Sequence, residues 1–179
     1  MRIFKNVFSK LYVFLIWIIL STMIWGWIFN LVTDTTVDKK VTLFIEAPVL
    51  QDTELAVYLE EDMPEGIKMI KVHPFSYAMI NADLLLGSDL FIVRESNIEQ
   101  YAEDLAPIDP SLYDGDSEIY YIDSVAYGIK VYDHATKSGL AAEYIEYYDE
   151  DCYLFFGADS THISDGAALR VAERLLELK

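Results

Sequence analysis

Val41-Thr42-Leu43-Phe44-Ile45 is a short run of β-prone residues with a single hydroxyl and no charge. A strand open to water on one side alternates apolar with polar, whereas a near-continuous apolar run suits a strand covered on both faces. Ile67-Lys-Met-Ile-Lys-Val72 and Asp89-Leu-Phe-Ile-Val93 read as a second and a third strand. Between the first two, Asp52 or Thr53 is placed to cap a helix through Asp62, with Leu55, Val57, Tyr58 and Leu59 as its inner face and Pro64 to Gly66 as its end. A further helix is predicted from Ser76 to Leu86, stopped by Gly87. Ser96 and Glu99 have the spacing of a capping box that opens a short helix to Asp104. Strands alternating with helices over residues 41–104 imply βαβ units and a parallel sheet.

The second half has a different pattern. Residues 118–122, 126–132, 144–148 and 153–156 are strand-like, with a turn cluster at Asp133 to Gly139, so hairpin pairing is expected. Ser164 and Asp165 are placed to cap a last helix with Leu169, Val171, Ala172, Leu175 and Leu176 along one stripe. The expected fold class is α/β. An N-terminal transmembrane helix precedes a single three-layer domain with a mostly parallel sheet plus an antiparallel hairpin.

The membrane expectation rests on Leu11 to Val32, which carries no charge over 22 residues. About 20 apolar residues suffice to cross a bilayer as a helix. Arg2, Lys5 and Lys10 precede it and the first acid is Asp34, which places the N-terminus in the cytoplasm and the rest outside. A cleaved signal peptide would end in small residues, but this run ends in Ile24-Trp-Gly-Trp-Ile-Phe-Asn30, so an uncleaved anchor is expected. Tyr12, Trp17, Trp25 and Trp27 suit interfacial positions. The chain divides into a basic tail (1–10), an anchor (11–32), a polar linker (33–40) and an extracytoplasmic domain (41–179).

Beyond residue 32, ten basic residues face all thirty acids, a formal charge of −20. Such a charge excludes nucleic acid as a partner, because phosphates are held by basic patches. It tolerates cationic ligands, or it serves solubility alone. Cys152 is the one cysteine, so no intramolecular disulfide is possible, and its acidic neighbours disfavour a thiolate. An extracytoplasmic domain without disulfides suits a bacterium with a single membrane better than a secreted animal protein.

Four strings in this order carry a resemblance: Asp89-Leu-Phe-Ile-Val93, Leu105-Ala-Pro-Ile-Asp109, Tyr127-Gly-Ile-Lys-Val131, and Tyr153-Leu-Phe-Phe-Gly157 followed by His162-Ile163. Residues 41–179 thereby resemble the first lobe of bacterial extracellular solute-binding proteins of the type II periplasmic-binding fold. The resemblance implies that Tyr127–Val131 is the crossing strand and that Tyr153–Gly157 returns to the first lobe. Only Tyr132 to Cys152 lies where a second lobe of a hundred or more residues would stand, and Lys130 replaces the proline of the crossing strand. Capture by closure of two lobes is therefore not expected.

In open α/β sheets ligands sit beyond the carboxyl ends of the strands. Those ends carry Glu46, then His73 and Ser76, then Arg94, Glu95 and Ser96. His73 offers a base or ligand, the serines offer hydroxyls, and Arg94 can clamp a carboxylate. Equally, Ser76 and Ser96 can be helix caps, and Glu46 and Arg94 solvated rim residues. Asp114-Gly-Asp-Ser-Glu118 has alternating oxygens but lacks the rest of a calcium loop, and Asp149-Glu-Asp151 reads as a solvated loop. No histidine or cysteine pair has metal-ligand spacing, and no phosphate loop, dinucleotide fingerprint, nucleophile elbow or zinc-protease motif occurs. No cofactor or metal is expected, and an enzyme using His73 with Glu46 or Glu95 is the least favoured class. The expected function is a membrane-anchored binding or interaction module for a small solute. The alternative is an assembly subunit that presents tyrosines 120, 121, 127, 132, 144, 147 and 148 to a membrane protein.

Overall fold

The computed structural model describes residues 2–33, 36–74, 88–110 and 118–178. Two compact units result, Met1–Thr36 and Val37–Lys179. The first contains α1, an unbroken helix of 32 residues at Arg2–Thr33. Its segment Leu11–Phe29 has a mean hydropathy of 2.0 and is long and apolar enough to cross a membrane or serve as a signal anchor. Large side chains there, Trp17, Trp25, Trp27 and Phe29 among them, are exposed rather than gathered on one buried stripe.

In the second unit the strands are β1 (Lys40–Ile45), β2 (Val49–Leu50), β3 (Met69–Pro74), β4 (Leu90–Arg94), β5 (Leu105–Ala106), β6 (Ile119–Ile122), β7 (Val125–Asp133), β8 (Ser138–Gly139), β9 (Ile145–Glu146) and β10 (Cys152–Gly157). The helices are α2 (Asp52–Glu60), α3 (Ile98–Tyr101) and α4 (Ala167–Leu176). The main sheet is mixed and runs β3-β1-β4-β10-β7-β6, with β5 beside β10 and β8 beside β7. Across β3-β1-β4 the pairing is parallel, and from β4 through β10 and β7 to β6 it is antiparallel. The expected parallel sheet is one half of the structure, and the hairpin pattern of the second half extends it. A separate antiparallel pair joins β2 to β9.

The apolar runs divide by period 2 between two cores. Val41, Leu43 and Ile45 of β1, Leu90 and Ile92 of β4, and Cys152, Leu154 and Phe156 of β10 share one face with Leu55 and Leu59 of α2 and Val171 and Leu175 of α4. Phe44, Phe91, Val93, Tyr153 and Phe155 point the other way, onto Ile98 and Tyr101 of α3. Burial on both faces is why these strands lack polar alternation. β6 and β7 form the hairpin, joined by Asp123 and Ser124, both with positive φ (48° and 69°) as a two-residue turn of the I′ kind requires.

Local expectations fail where tertiary contacts override them. Val57 is exposed, because it lies two residues from Leu55 and the helix turns it away, while Leu55 and Leu59 keep the i, i+4 stripe. Gln51 precedes α2 with no side-chain cap, and Asp52 accepts from its neighbour Thr53, the amide at 2.8 Å and the hydroxyl at 3.4 Å. The capping box at Ser96 and Glu99 does not form. Glu95–Asp104 is a 3₁₀ turn, one α turn and a second 3₁₀ turn with no side-chain cap. β3 begins two residues later than the run at Ile67 suggests, and only Ile145–Glu146 of 144–148 is a strand. Asp165 does accept the Ala167 amide at 2.9 Å at the start of α4. The helix expected at 76–86, Gly87 and most of the Asp114–Glu118 string lie outside the described residues.

Candidate functional site

β1, β3 and β4 are parallel, so their carboxyl ends bring Glu46, His73 and Arg94 to one end of the sheet. Glu46 is 6% exposed and continues β1, its amide donating to the Ile92 carbonyl at 2.8 Å. A buried carboxylate needs several donors. Glu46 Oε1 accepts from Arg94 Nε at 2.7 Å and Asn97 Nδ2 at 2.6 Å, and Oε2 accepts the Arg94 amide at 3.3 Å. Arg94 reaches on to Glu150 Oε1 at 3.2 Å and lies over the Tyr148 ring at 4.7 Å. Glu150 Oε2 accepts the Ser96 amide at 3.2 Å. Burial opposes the charge on Arg94, but Glu46 and Glu150 outweigh it and hold the guanidinium protonated more firmly still.

The structure thus gathers Glu46, Arg94 and Ser96, and they bond to the chain itself. Glu150 occupies the position in which a carboxylate ligand of Arg94 would sit. Glu95 is exposed and donates its amide to the Asp151 carbonyl at 2.8 Å. His73 stands apart, its ring 5.4 Å from that of Phe44. Burial lowers its pKa, and Lys71 and Lys40 add to the effect against a smaller opposing pull from Asp52. It has no hydrogen bond to Glu46 or Glu95. Ser76 lies outside the described residues.

Asp149-Glu-Asp151, expected as a solvated loop, is a set of anchors. Besides Glu150, Asp151 binds Lys130 Nζ at 2.6 Å and the His134 amide at 2.7 Å, and Asp149 lies 3.0 Å from His134 Nδ1. Lys130 also meets Glu118 at 3.0 Å, and these partners raise its pKa against the effect of burial. Lys130 therefore ties the excursion 133–151 back to β7. Lys130→Met is expected to destabilise the domain by about 1–2 kcal/mol and to loosen this excursion, as read by a thermal melt and by hydrogen exchange. Cys152 is fully buried and its thiol is pushed up to about 12, chiefly by burial and then by Glu150 and Glu46, so it is no nucleophile. No cluster of three or more potential metal ligands occurs among the described residues.

The same excursion lines an open cavity of about 450 Å³. Its lining comes from Val49 and Gln51 after β1, from Tyr132, Lys137 and Gly139, and from Ala142–Tyr147. Tyr132 and Tyr147 stack at 4.7 Å, and the Tyr147 hydroxyl donates to the Leu140 carbonyl at 2.8 Å. Gly139 is required by this stack, since a Cβ there would lie 2.6 Å from Tyr132 and 2.9 Å from Tyr147. The sequence signal was present in the tyrosine spacing, but a flat wall appears only when β8 folds back on β7. No family model, curated protein or solved structure matches the chain.

Proposed function

We propose that this protein is a membrane-anchored, extracytoplasmic binding module that takes a small solute in the cavity between the end of β1 and the 133–151 excursion. The cavity is the observation that carries this reading. Val49 and Gln51 of its lining follow β1 in the chain, and α/β sheets hold ligands beyond the carboxyl ends of their strands. Its volume suits a small organic molecule. The excursion stands where the resembled solute-binding family carries a second lobe, so the account needs capture without lobe closure. The basic residues before Leu11 and the acids after Val32 support a cytoplasmic N-terminus and an external domain.

The test uses the full chain in detergent with a panel of amino acids, sugars and small amines. A solute at a hundred times its dissociation constant stabilises by about 2.7 kcal/mol, a shift of several degrees in the melt. Ala142→Trp, at an exposed lining position, should leave the unliganded melt in place and abolish that shift. No stabilisation by any solute, or the same shift in Ala142→Trp, counts against the cavity.

The assembly-subunit reading has less support. Of the seven tyrosines it invokes, Tyr121 is exposed and the other six are half-buried, several in ring contacts with one another or with neighbouring rings. What favours it is the apolar edge at the β6–β7 hairpin, where Tyr121 and Val125 are 55% and 45% exposed. A membrane pull-down lost on Tyr121→Lys, with no solute effect, would select it.

A further inference from the structure

We propose that His162 is a pH-operated clasp: protonated, it ties the start of the extracytoplasmic domain at Val37 to the loop before α4, and neutral, it lets Val37 go. The ring is almost wholly buried, its side chain 2% exposed. Nδ1 lies 2.8 Å from Asp165 Oδ2, and Nε2 lies 3.1 Å from the Val37 carbonyl oxygen. Neither partner can donate. A carbonyl only accepts, and so does an ionised carboxylate. Burial works against the charge on Asp165, but the Ala167 amide and His162 outweigh it and hold that carboxyl below its ordinary value. Both ring nitrogens must therefore carry hydrogen, which makes the bound form the imidazolium.

Loss of one proton breaks one particular contact. A neutral ring keeps Nδ1–H toward the carboxylate and turns the Nε2 lone pair onto the Val37 oxygen, which repels it. Among the described residues, the charged groups facing the ring are Asp165, from the loop before α4, and Asp89, just before β4. Asp89 is itself held by the Ser160 hydroxyl at 2.5 Å and the Thr42 amide at 2.8 Å. Ser160 Oγ also accepts the His162 backbone amide at 3.1 Å, a bond without a titrating ring, so the His162 backbone stays in place when the clasp opens. Burial alone would lower the pKa of His162, but Asp165, the Val37 carbonyl and Asp89 together raise it above the ordinary histidine value. The clasp therefore contributes fully below pH ~6.5 and is lost as pH rises through the raised value.

Val37 opens the 3₁₀ turn Val37–Lys39 that leads into β1, directly after the unit containing α1. Releasing that turn would add roughly 10 Å of reach to the tether. The lone cysteine is buried, so a spin label on Thr36→Cys reports on the tether alone in the full chain in nanodiscs. Label mobility is expected to be low at about pH 5.5 and to rise through one transition by about pH 8.5. Asp165→Asn keeps the acceptor for Ala167 and removes the charge, and should move that midpoint down by about one unit or more. His162→Gln should abolish the transition. Mobility that does not change with pH in the unmodified background, or an unchanged midpoint in Asp165→Asn, overturns the proposal.

Discussion

Gly157→Ala is expected to leave the domain without a cooperative thermal transition, or with one lowered by 10 °C or more, about 3 kcal/mol for a domain of this size. The added Cβ would stand 2.0 Å from the Ser88 carbonyl oxygen and 3.1 Å from the Phe91 ring. A backbone oxygen cannot swing aside as a side chain can. Moving it shifts Asp89, whose carbonyl accepts the Gly157 amide at 3.0 Å and whose amide donates to Thr42 at 3.1 Å. β10 is also the strand between β4 and β7, so its displacement strains the antiparallel half and the junction with the parallel half together. Gly66→Ala is the control. Its φ is +89° but its Cβ meets open space, and about 1 kcal/mol of backbone strain is the whole expected effect. Circular dichroism melts on the full chain distinguish the two, and equal effects would mean that the packing around Gly157 is not as described.

Glu46→Ala is expected to cost about 2–4 kcal/mol, more than an exposed ion pair contributes. The substitution removes the acceptor of Arg94 Nε and Asn97 Nδ2 and leaves Glu150 as the remaining carboxylate on the guanidinium. Glu46→Gln keeps an acceptor and should lose about half as much. A double-mutant cycle between Glu46 and Arg94 should show a coupling of at least about 1 kcal/mol. Additive losses would mean that the network is a crossing of independent contacts.

The runs Val41–Ile45, Leu90–Arg94 and Cys152–Gly157 were legible because each strand is sandwiched between two cores, and a doubly buried strand cannot conceal its composition. α4 was legible for a related reason, since Val171, Ala172 and Leu175 recur with the helical period. Ser96 misled because its local pattern is that of a cap, yet its amide is taken by Glu150, more than fifty residues away. Asp149-Glu-Asp151 looked solvated for the same reason: acids show nothing of the Arg94 and Lys130 that will meet them. Of the candidate site, the strand ends placed Glu46 and Arg94 correctly at one end of the sheet. They gave no sign that those two groups would satisfy each other, nor that the open space would be lined instead by Val49, Gln51 and residues of the Tyr132–Tyr147 stretch. His162 was read as part of a family-like string, and its partner Val37 stands 125 residues away.

The most direct test of a solute-binding cavity is hydrogen exchange on the full chain, with and without a stabilising solute. Added protection is expected at Gln51 and across residues 137–147, with little change at Arg94–Asn97, where Glu46 and Glu150 already fill the donors. Protection confined to the Glu46–Arg94 end of the sheet, or no change in either segment, would contradict it.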